Sequence, residues 1–217
     1  MNAAEQQAAA QPQTMQRYYR WHARIYDVTR WAFLFGRRRL LRLLPQKPAL
    51  RLAEIGCGTG FNLKRLARQH ADWQLTGVDV SRHMLDRAFR ALKPYSQRVF
   101  LLEKSYGKGQ FRLKESTDIV LFSYSLTMFN PGFEGAIEQA YDDLRPGGCI
   151  AVVDFHDTPF GWFRRWMGLN HVRMEGQLLP VLERHFEPKT CEVRRAFGGL
   201  WRYLVFVGVK PRSSVDG

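Results

Sequence analysis

Cysteine is scarce in this chain, and that scarcity already excludes two classes of protein. The 217 residues carry three, Cys57, Cys149 and Cys191, with no CxxC pair and no histidine at ligand spacing. A disulfide framework and a structural metal module are thereby set aside, and reduced thiols in a cytoplasmic protein are expected. Long apolar runs are missing too: none approaches the ~18 residues of a membrane span. The N-terminus has no signal-peptide pattern, so a soluble or peripheral protein is expected. Repeats and linkers are also absent, which predicts one domain over residues 1–217 with a core large enough to need no cross-links. Acidic residues are the other shortage. There are 20 Asp+Glu against 33 Lys+Arg, a formal net charge of +13. Such a balance seeks an anionic partner, either nucleic acid or an acidic membrane surface.

What is present is regular. Residues 1–16 are rich in Ala and Gln and read as a flexible tail. In residues 17–44, Tyr18, Trp21, Ile25, Val28, Ala32 and Phe35 recur at spacings of three and four, one stripe of a helix flanked by Arg17, Arg20, Arg24 and Arg30. Gly36 interrupts this pattern before Arg37, Arg38, Arg39 and Arg42, which alternate with leucines. From residue 50 to 210, apolar strands alternate with helical segments: strands at 50–56, 74–80, 99–103, 118–123 and 149–155, helices at 61–70, 82–92 and 133–144. That order predicts a doubly wound, mostly parallel α/β sheet with helices on both faces. Residues 104–116 are too short and polar for a full helix. Residues 159–174 form an aromatic and basic stretch, and a helix follows at 176–185. Strands at 190–197 and 201–210 flank Gly198-Gly199 and read as an antiparallel pair at the sheet's end.

The chain is organised around R-L-A-E-I-G-C-G-T-G at 51–60. An apolar strand breaks into Gly56, Gly58 and Gly60, and a helix begins at once, the order by which such sheets bring bare backbone to a nucleotide. Asp79 ends the next strand, roughly twenty residues on, where a carboxylate meets a ribose. A dinucleotide turn offers its free N–H groups to a pyrophosphate, and Glu54 would face those phosphates. Glu54 instead suits a ligand with a cationic amine, a ribose diol and no phosphate. At these residues the chain resembles the class I S-adenosylmethionine-dependent methyltransferases, with a Rossmann-like sheet. The backbone at Gly56, Cys57 and Gly58 is expected to pass under the amino-acid end of the cofactor, with Glu54 near its amine. Asp79 would accept from the ribose hydroxyls, and Val80 and Met84 would pack on the adenine. The family carries an acid after strand three that holds the adenine amine. Here E-K-S-Y at 103–106 leaves Ser105 or Tyr106 to replace it.

The pocket mouth belongs to S-Y-S-L-T-M at 123–128, with Ser123 on the cofactor side. Nucleobase methylation would need a tetrad such as N-P-P-Y at that strand end. N-P-G-F at 130–133 comes several residues late and carries Gly132 in place of the second proline. There is no Pro-Cys pair either, so nucleic acid is not the expected partner. Y-Y-R-W-H-A-R-I-Y-D at 18–27, with S-Y-S-L-T-M-F-N-P and V-V-D-F-H-D, resembles a narrower group. These are the bacterial N-methyltransferases that make betaine lipids from diacylglyceryl-homoserine, kin to the phosphatidylethanolamine N-methyltransferases. The resemblance implies an amine headgroup as acceptor, a lid and membrane contact at the N-terminal helix, and a location at the inner face of the membrane. An enzyme that supplies the lipid is a compatible partner. Tyr19, Tyr26 and Tyr124 could hold an ammonium, and His156 is the candidate base. His171 and Arg173 are candidates for a headgroup anion, while Trp21, Arg24, Arg37, Arg38 and Arg39 would meet lipid. The rival readings are a quinone or other small apolar acceptor, an RNA enzyme, and a cofactor-binding adaptor without catalysis.

Overall fold

The computed structural model describes residues 34–107, 109, 111–113, 117–129, 132–169 and 172–212. Gly36–Gly217 forms a compact unit by itself, and the fold below is that of its described part. Residues 17–33 of the helix expected at 17–35, with Tyr19, Trp21, Arg24 and Tyr26, lie outside the described residues, as does His171.

Seven strands form one sheet in the order β3-β2-β1-β4-β5-β7-β6. Here β1 is Arg51–Ile55, β2 Gln74–Asp79, β3 Val99–Glu103, β4 Thr117–Ser123, β5 Leu144–Asp157, β6 Glu187–Ala196 and β7 Trp201–Val209. The first five run parallel, and β7 joins β5 antiparallel, with β6 antiparallel to β7. Six helices complete the unit: α1 Arg37–Leu43, α2 Phe61–Gln69, α3 Arg82–Leu92, α4 Phe133–Asp143, α5 Gly161–Leu169 and α6 Leu178–His185. This is the expected α/β architecture with an antiparallel end. No helix among the described residues is long and apolar enough to cross a membrane.

Local chemistry accounts for the elements. The central strands β4 and β5 have near-continuous apolar runs, I-V-L-F and C-I-A-V-V, because helices cover both faces of a parallel sheet. Helix α3 starts at Ser81, whose Oγ accepts from the Met84 N–H at 3.4 Å, and it buries Leu85, Ala88 and Leu92 on one side. On one face of the sheet, Ile55, Val120, Phe122, Ile150 and Val152 pack with Ile137 and Ala140 of α4 and Leu178 and Leu182 of α6.

Three local expectations change. Helix α5 falls in the stretch 159–174, for which the expectation was only an aromatic and basic segment. Its inner face buries Phe163 and Met167, Trp162, Trp166 and Leu169 beside them face solvent, and Arg164 and Arg165 take the remaining side. Strand β5 is recorded from Leu144, with a register break between its pairings at Leu144 and Cys149, so the R-P-G-G turn is an irregularity within the strand. Strand β6 begins at Glu187 rather than 190 and ends at Ala196, leaving Phe197–Gly199 as a tight turn.

Candidate active site

The strand order reverses between β1 and β4, and open α/β sheets bind ligands in the crevice outside the carboxyl ends of the strands at such a point. The glycine turn leaves β1 there, and residues 124–129 leave β4 beside it. The two loops are locked together. Ser125 Oγ donates to the Ile55 carbonyl at 2.8 Å, and a Cβ on Gly56 would stand 2.6 Å from the Ser125 Cβ. Gly56, at φ 71°, is therefore required for the fit of one loop on the other as well as for its backbone.

Asp79 closes the turn from the β2 side. Its Oδ2 accepts from the Gly58 N–H at 2.8 Å and its Oδ1 from the Ser81 N–H at 2.9 Å. Each carboxylate oxygen has lone pairs left for a ligand hydroxyl. Next to it Val80 is 67 % exposed, an apolar side chain at the rim of the crevice. Met84, one turn into α3, is half-buried. Glu54 is buried, and its Oε1 accepts from Asn62 Nδ2 at 2.6 Å. Asn62 was not singled out in the sequence. A polar residue in the first turn of α2 among buried Leu63 and Leu66 was the available signal. Its Oδ1 is buried with no hydrogen-bond partner among the described residues, an acceptor beside a carboxylate. The Cys57 side chain turns away, its Sγ near where a Cβ on Gly77 would stand, so only its backbone faces the turn. Gly60 begins α2, packed so that a Cβ would meet Leu92 and Ala88 of α3.

Beyond β3 the two adenine candidates separate. Ser105 is exposed. Tyr106 is a core residue instead: its ring packs on Phe122 and its hydroxyl donates to buried Asp143 at 2.9 Å. Burial pushes both ionisations up, the tyrosine's strongly, so the pair is a fixed structural contact. Glu103, also at that strand end, is exposed and ion-paired with Arg82. Ser123 is buried, and its Oγ has no partner among the described residues.

Tyr124 follows β4 at φ 56°, an unusual conformation for a bulky residue and one that concentrates at functional sites. It is buried, its ring edge-on to Phe155 at 4.8 Å. Desolvation first, then the Asp154 and Tyr203 charges, hold its hydroxyl well above the ordinary range, with Arg37 opposing. Tyr124 is therefore a neutral phenol, able to accept or donate a hydrogen bond but unsuited to taking a proton. His156 is half-buried and lowered by burial, so it is a neutral imidazole near pH 7. Alternation along β5 puts it on the face opposite Phe155, against Gly176, whose N–H donates to the His156 carbonyl at 2.8 Å. His156 and Tyr124 are thus not brought together around one point.

A residue the sequence reading left without a role organises the mouth. Asp154 is fully buried and accepts from Thr127 Oγ1 at 2.5 Å, the Thr127 N–H at 3.2 Å and the Phe155 N–H at 2.8 Å. Desolvation outweighs those donors and raises its carboxyl to about 6. The arginine cluster also divides. Arg37 is half-buried with its guanidinium 4.6 Å from the Phe61 ring centroid, between the glycine turn and Tyr124. Arg39 makes a two-point contact with Glu192, and Arg38 is exposed. Arg173, expected to bind an anion, holds Glu175 at 2.8 Å. The three arginines 37–39 therefore do not present one open basic face. A hollow of about 450 Å³ beside α4, bordered by Arg112, Gln139, Asp142 and His185, includes none of these groups.

The fold and this crevice define a Rossmann-like domain with a glycine turn and a carboxylate, Asp79, at the end of the neighbouring strand. Residues 52–148 match the family described as "Methyltransferase domain". Over that segment, somewhat under half of the chain, the sequence is similar to methyltransferase domains. The chain is 24% identical over 174 residues, 80% of its length and 57% of the relative's, to a trans-aconitate 2-methyltransferase of Deinococcus radiodurans. It is 32% identical over 130 residues, 58% and 44% of the two lengths, to a malonyl-[acyl-carrier protein] O-methyltransferase of Magnetococcus marinus. The chain spans about half the length of these curated relatives. Among solved structures it is similar to the [4+2]-cyclase SpnF (TM-score 0.71, 20% identity, 82% of this chain and 81% of that one). The N-methyltransferase NodS from Bradyrhizobium japonicum WM9, in complex with S-adenosyl-L-homocysteine, superposes with TM-score 0.67 at 20% identity (81% and 86% covered). A phosphoethanolamine N-methyltransferase 2 of Haemonchus contortus, in complex with S-adenosyl-L-methionine, gives 0.66 at 17% (82% and 52%). A cyclase and methyltransferases share this architecture, so the reaction must be argued from the site.

Proposed function

We propose that this protein is an S-adenosylmethionine-dependent N-methyltransferase acting on the amine headgroup of a membrane lipid, of the diacylglyceryl-homoserine or phosphatidylethanolamine type. The observation that carries the cofactor assignment is the crevice at the β1–β4 switch, where carboxylate and amide acceptors and an apolar rim stand together. Asp79 suits a ribose diol, Val80 and Met84 an adenine, and Glu54 with the Asn62 Oδ1 a cationic amine. When bound, the cofactor supplies an electrophilic methyl on a sulfonium, transferred by in-line displacement.

The chain's own part is then alignment and exclusion of water. Tyr124, held neutral at the mouth, accepts a hydrogen bond from an acceptor amine that has lost its proton. The Tyr124 ring offers its π-face to an ammonium before deprotonation. The proton of the ammonium leaves to solvent water, because His156 lies on the other face of β5. The amine acceptor rests on the motif resemblance at 18–27 and 123–131, and two N-methyltransferases among the structural neighbours support it.

A second reading has its own observation. Arg37 beside Tyr124 and Phe61 suits an anionic group near the methyl acceptor, as a carboxylate O-methyltransferase would require. The curated relatives named for trans-aconitate and malonyl-[acyl-carrier protein] fit that chemistry. Purified protein incubated with methyl-labelled cofactor and either amino lipid or small dicarboxylates separates the two. Base-stable label in the lipid headgroup is the expected result; label in a base-labile ester would establish the second reading instead.

A further inference from the structure

Helix α5 carries apolar side chains well beyond its buried face, and the exposed ones are the unusual feature. Trp162, Trp166 and Leu169, at i, i+4 and i+7, share that face, with Trp162 65 % and Leu169 73 % exposed. Phe160 before the helix and Phe197 in the β6–β7 turn extend the patch, both exposed. The group is continuous: Phe160 touches Trp162, and Phe163 lies between Trp162 and Trp166 and stacks on Trp201. Phe197 closes the ring on Trp201, 4.9 Å between centroids. Phe197 is shown to solvent from a left-handed backbone, φ 47°, a conformation that costs a bulky residue free energy. A contiguous exposed apolar patch of this kind ordinarily marks an interaction surface.

The charges beside the patch specify the cover. α5 has no acidic residue, and Arg164 and Arg165 are exposed on it, Arg164 keeping its charge while donating to the Thr158 carbonyl at 2.9 Å; on β6, leading into the turn, Arg195 is exposed, as is Arg194, which lies 3.6 Å from Glu192. Of the acids at this corner, Asp157 is already paired with Arg202, and Glu175, bridged to it through the backbone, with Arg173. Topology places the patch as well. β7 runs antiparallel, with Trp201 following the β6–β7 turn and Arg202 opposite Asp157. The patch therefore lies at the carboxyl edge of the parallel strands, the edge that holds the glycine turn and Tyr124.

We propose that α5 and the Phe197–Gly199 turn form the surface by which this domain docks on an anionic lipid bilayer, with Trp162, Trp166, Leu169 and Phe197 in the interface and Arg164, Arg165 and Arg195 on headgroup phosphates. Indole rings and snorkelling arginines are the side chains this environment favours. Docking through this edge turns the mouth of the crevice toward the membrane. The surface differs from the arginine cluster of α1, whose Arg39 is engaged with Glu192. The inference concerns binding alone and holds whichever acceptor is methylated.

The test is co-sedimentation of the full chain with phosphatidylcholine vesicles, with and without added phosphatidylglycerol, none of which carries a primary amine acceptor. Wild type should bind the anionic vesicles better, and less as salt rises. Arg164→Gln with Arg165→Gln should weaken that binding roughly thirtyfold. Trp162→Ala with Trp166→Ala should weaken it at least as much, and Arg39→Ala should leave it as in wild type. Both pairs of sites are exposed, and an unchanged thermal transition will verify the fold of each variant. Quenching of tryptophan fluorescence by brominated lipid should be lost in the Trp162/Trp166 variant. Unchanged vesicle binding by both double variants overturns the proposal. So does self-association without lipid that the tryptophan changes abolish, which would assign the face to a second copy, or a preference for single-stranded RNA over vesicles in competition.

Discussion

Asp79 is the position where one substitution should test both the architecture and the cofactor. In the ligand-free protein its two oxygens each accept a backbone N–H, from Gly58 at 2.8 Å and Ser81 at 2.9 Å. Replacing it with alanine strands both donors. Hydrogen bonds to a charged acceptor contribute about 1.5–3 kcal/mol each, and the lower end applies because the half-buried site lets water in. The expected loss is about 3 kcal/mol, a fall in Tm of roughly 6–12 °C for a domain of this size. Binding loses separately. Two hydrogen bonds from the ribose diol, about 1.5 kcal/mol each, amount to roughly a hundredfold in Kd, and a displaced Gly58 adds to that. The assays are thermal unfolding without ligand and calorimetry with S-adenosylhomocysteine at a temperature where the variant is folded. Asp79→Asn, which keeps one acceptor, should fall between wild type and alanine in both. If Asp79→Ala unfolds and binds like wild type, the carboxylate neither clamps the turn nor meets the ribose, and the site assignment is wrong.

Three further outcomes are expected. Gly56→Ala should cost about 2–4 kcal/mol in chemical denaturation, from the left-handed backbone and the clash with Ser125, and Ser125→Gly in the same chain should relieve only the clash. Asp154, raised to about 6 against about 3.9 in an unfolded chain, binds its proton more tightly when folded. Its contribution is therefore fully present below pH ~4 and lost as pH rises through about 6. Wild type should lose about 3 kcal/mol more than Asp154→Asn across that window in denaturant titrations at stepped pH. Tyr106→Phe should cost about 1–3 kcal/mol by leaving Asp143 a donor short, while the Kd for S-adenosylhomocysteine stays at the wild-type value. A large loss of affinity would return Tyr106 to the pocket.

Alternation of apolar runs with helical stripes, read along the chain, was enough to determine the sheet, because parallel strands buried on both faces and amphipathic helices leave distinct periods. The spacing of Glu54, Gly56, Gly58, Gly60 and Asp79 likewise placed the crevice, since a strand, a tight turn and a helix start are local events. What depended on neighbours distant in sequence was decided only in three dimensions. Tyr106 follows β3 as a polar-tipped residue should, but Asp143, 37 residues on, draws its hydroxyl into the core. Asn62 gains meaning from Glu54 across the turn, and Asp154 from Thr127 across two strands. Arg37, Arg38 and Arg39 are one cluster in the sequence and three situations in space, because a helix turns successive residues by about 100° and each meets a different neighbour. Helix α5 follows the same rule: its aromatic residues stand in the sequence, but only the fold decides that Phe163 packs inward on Trp201 while Trp162 and Trp166 beside it stay exposed.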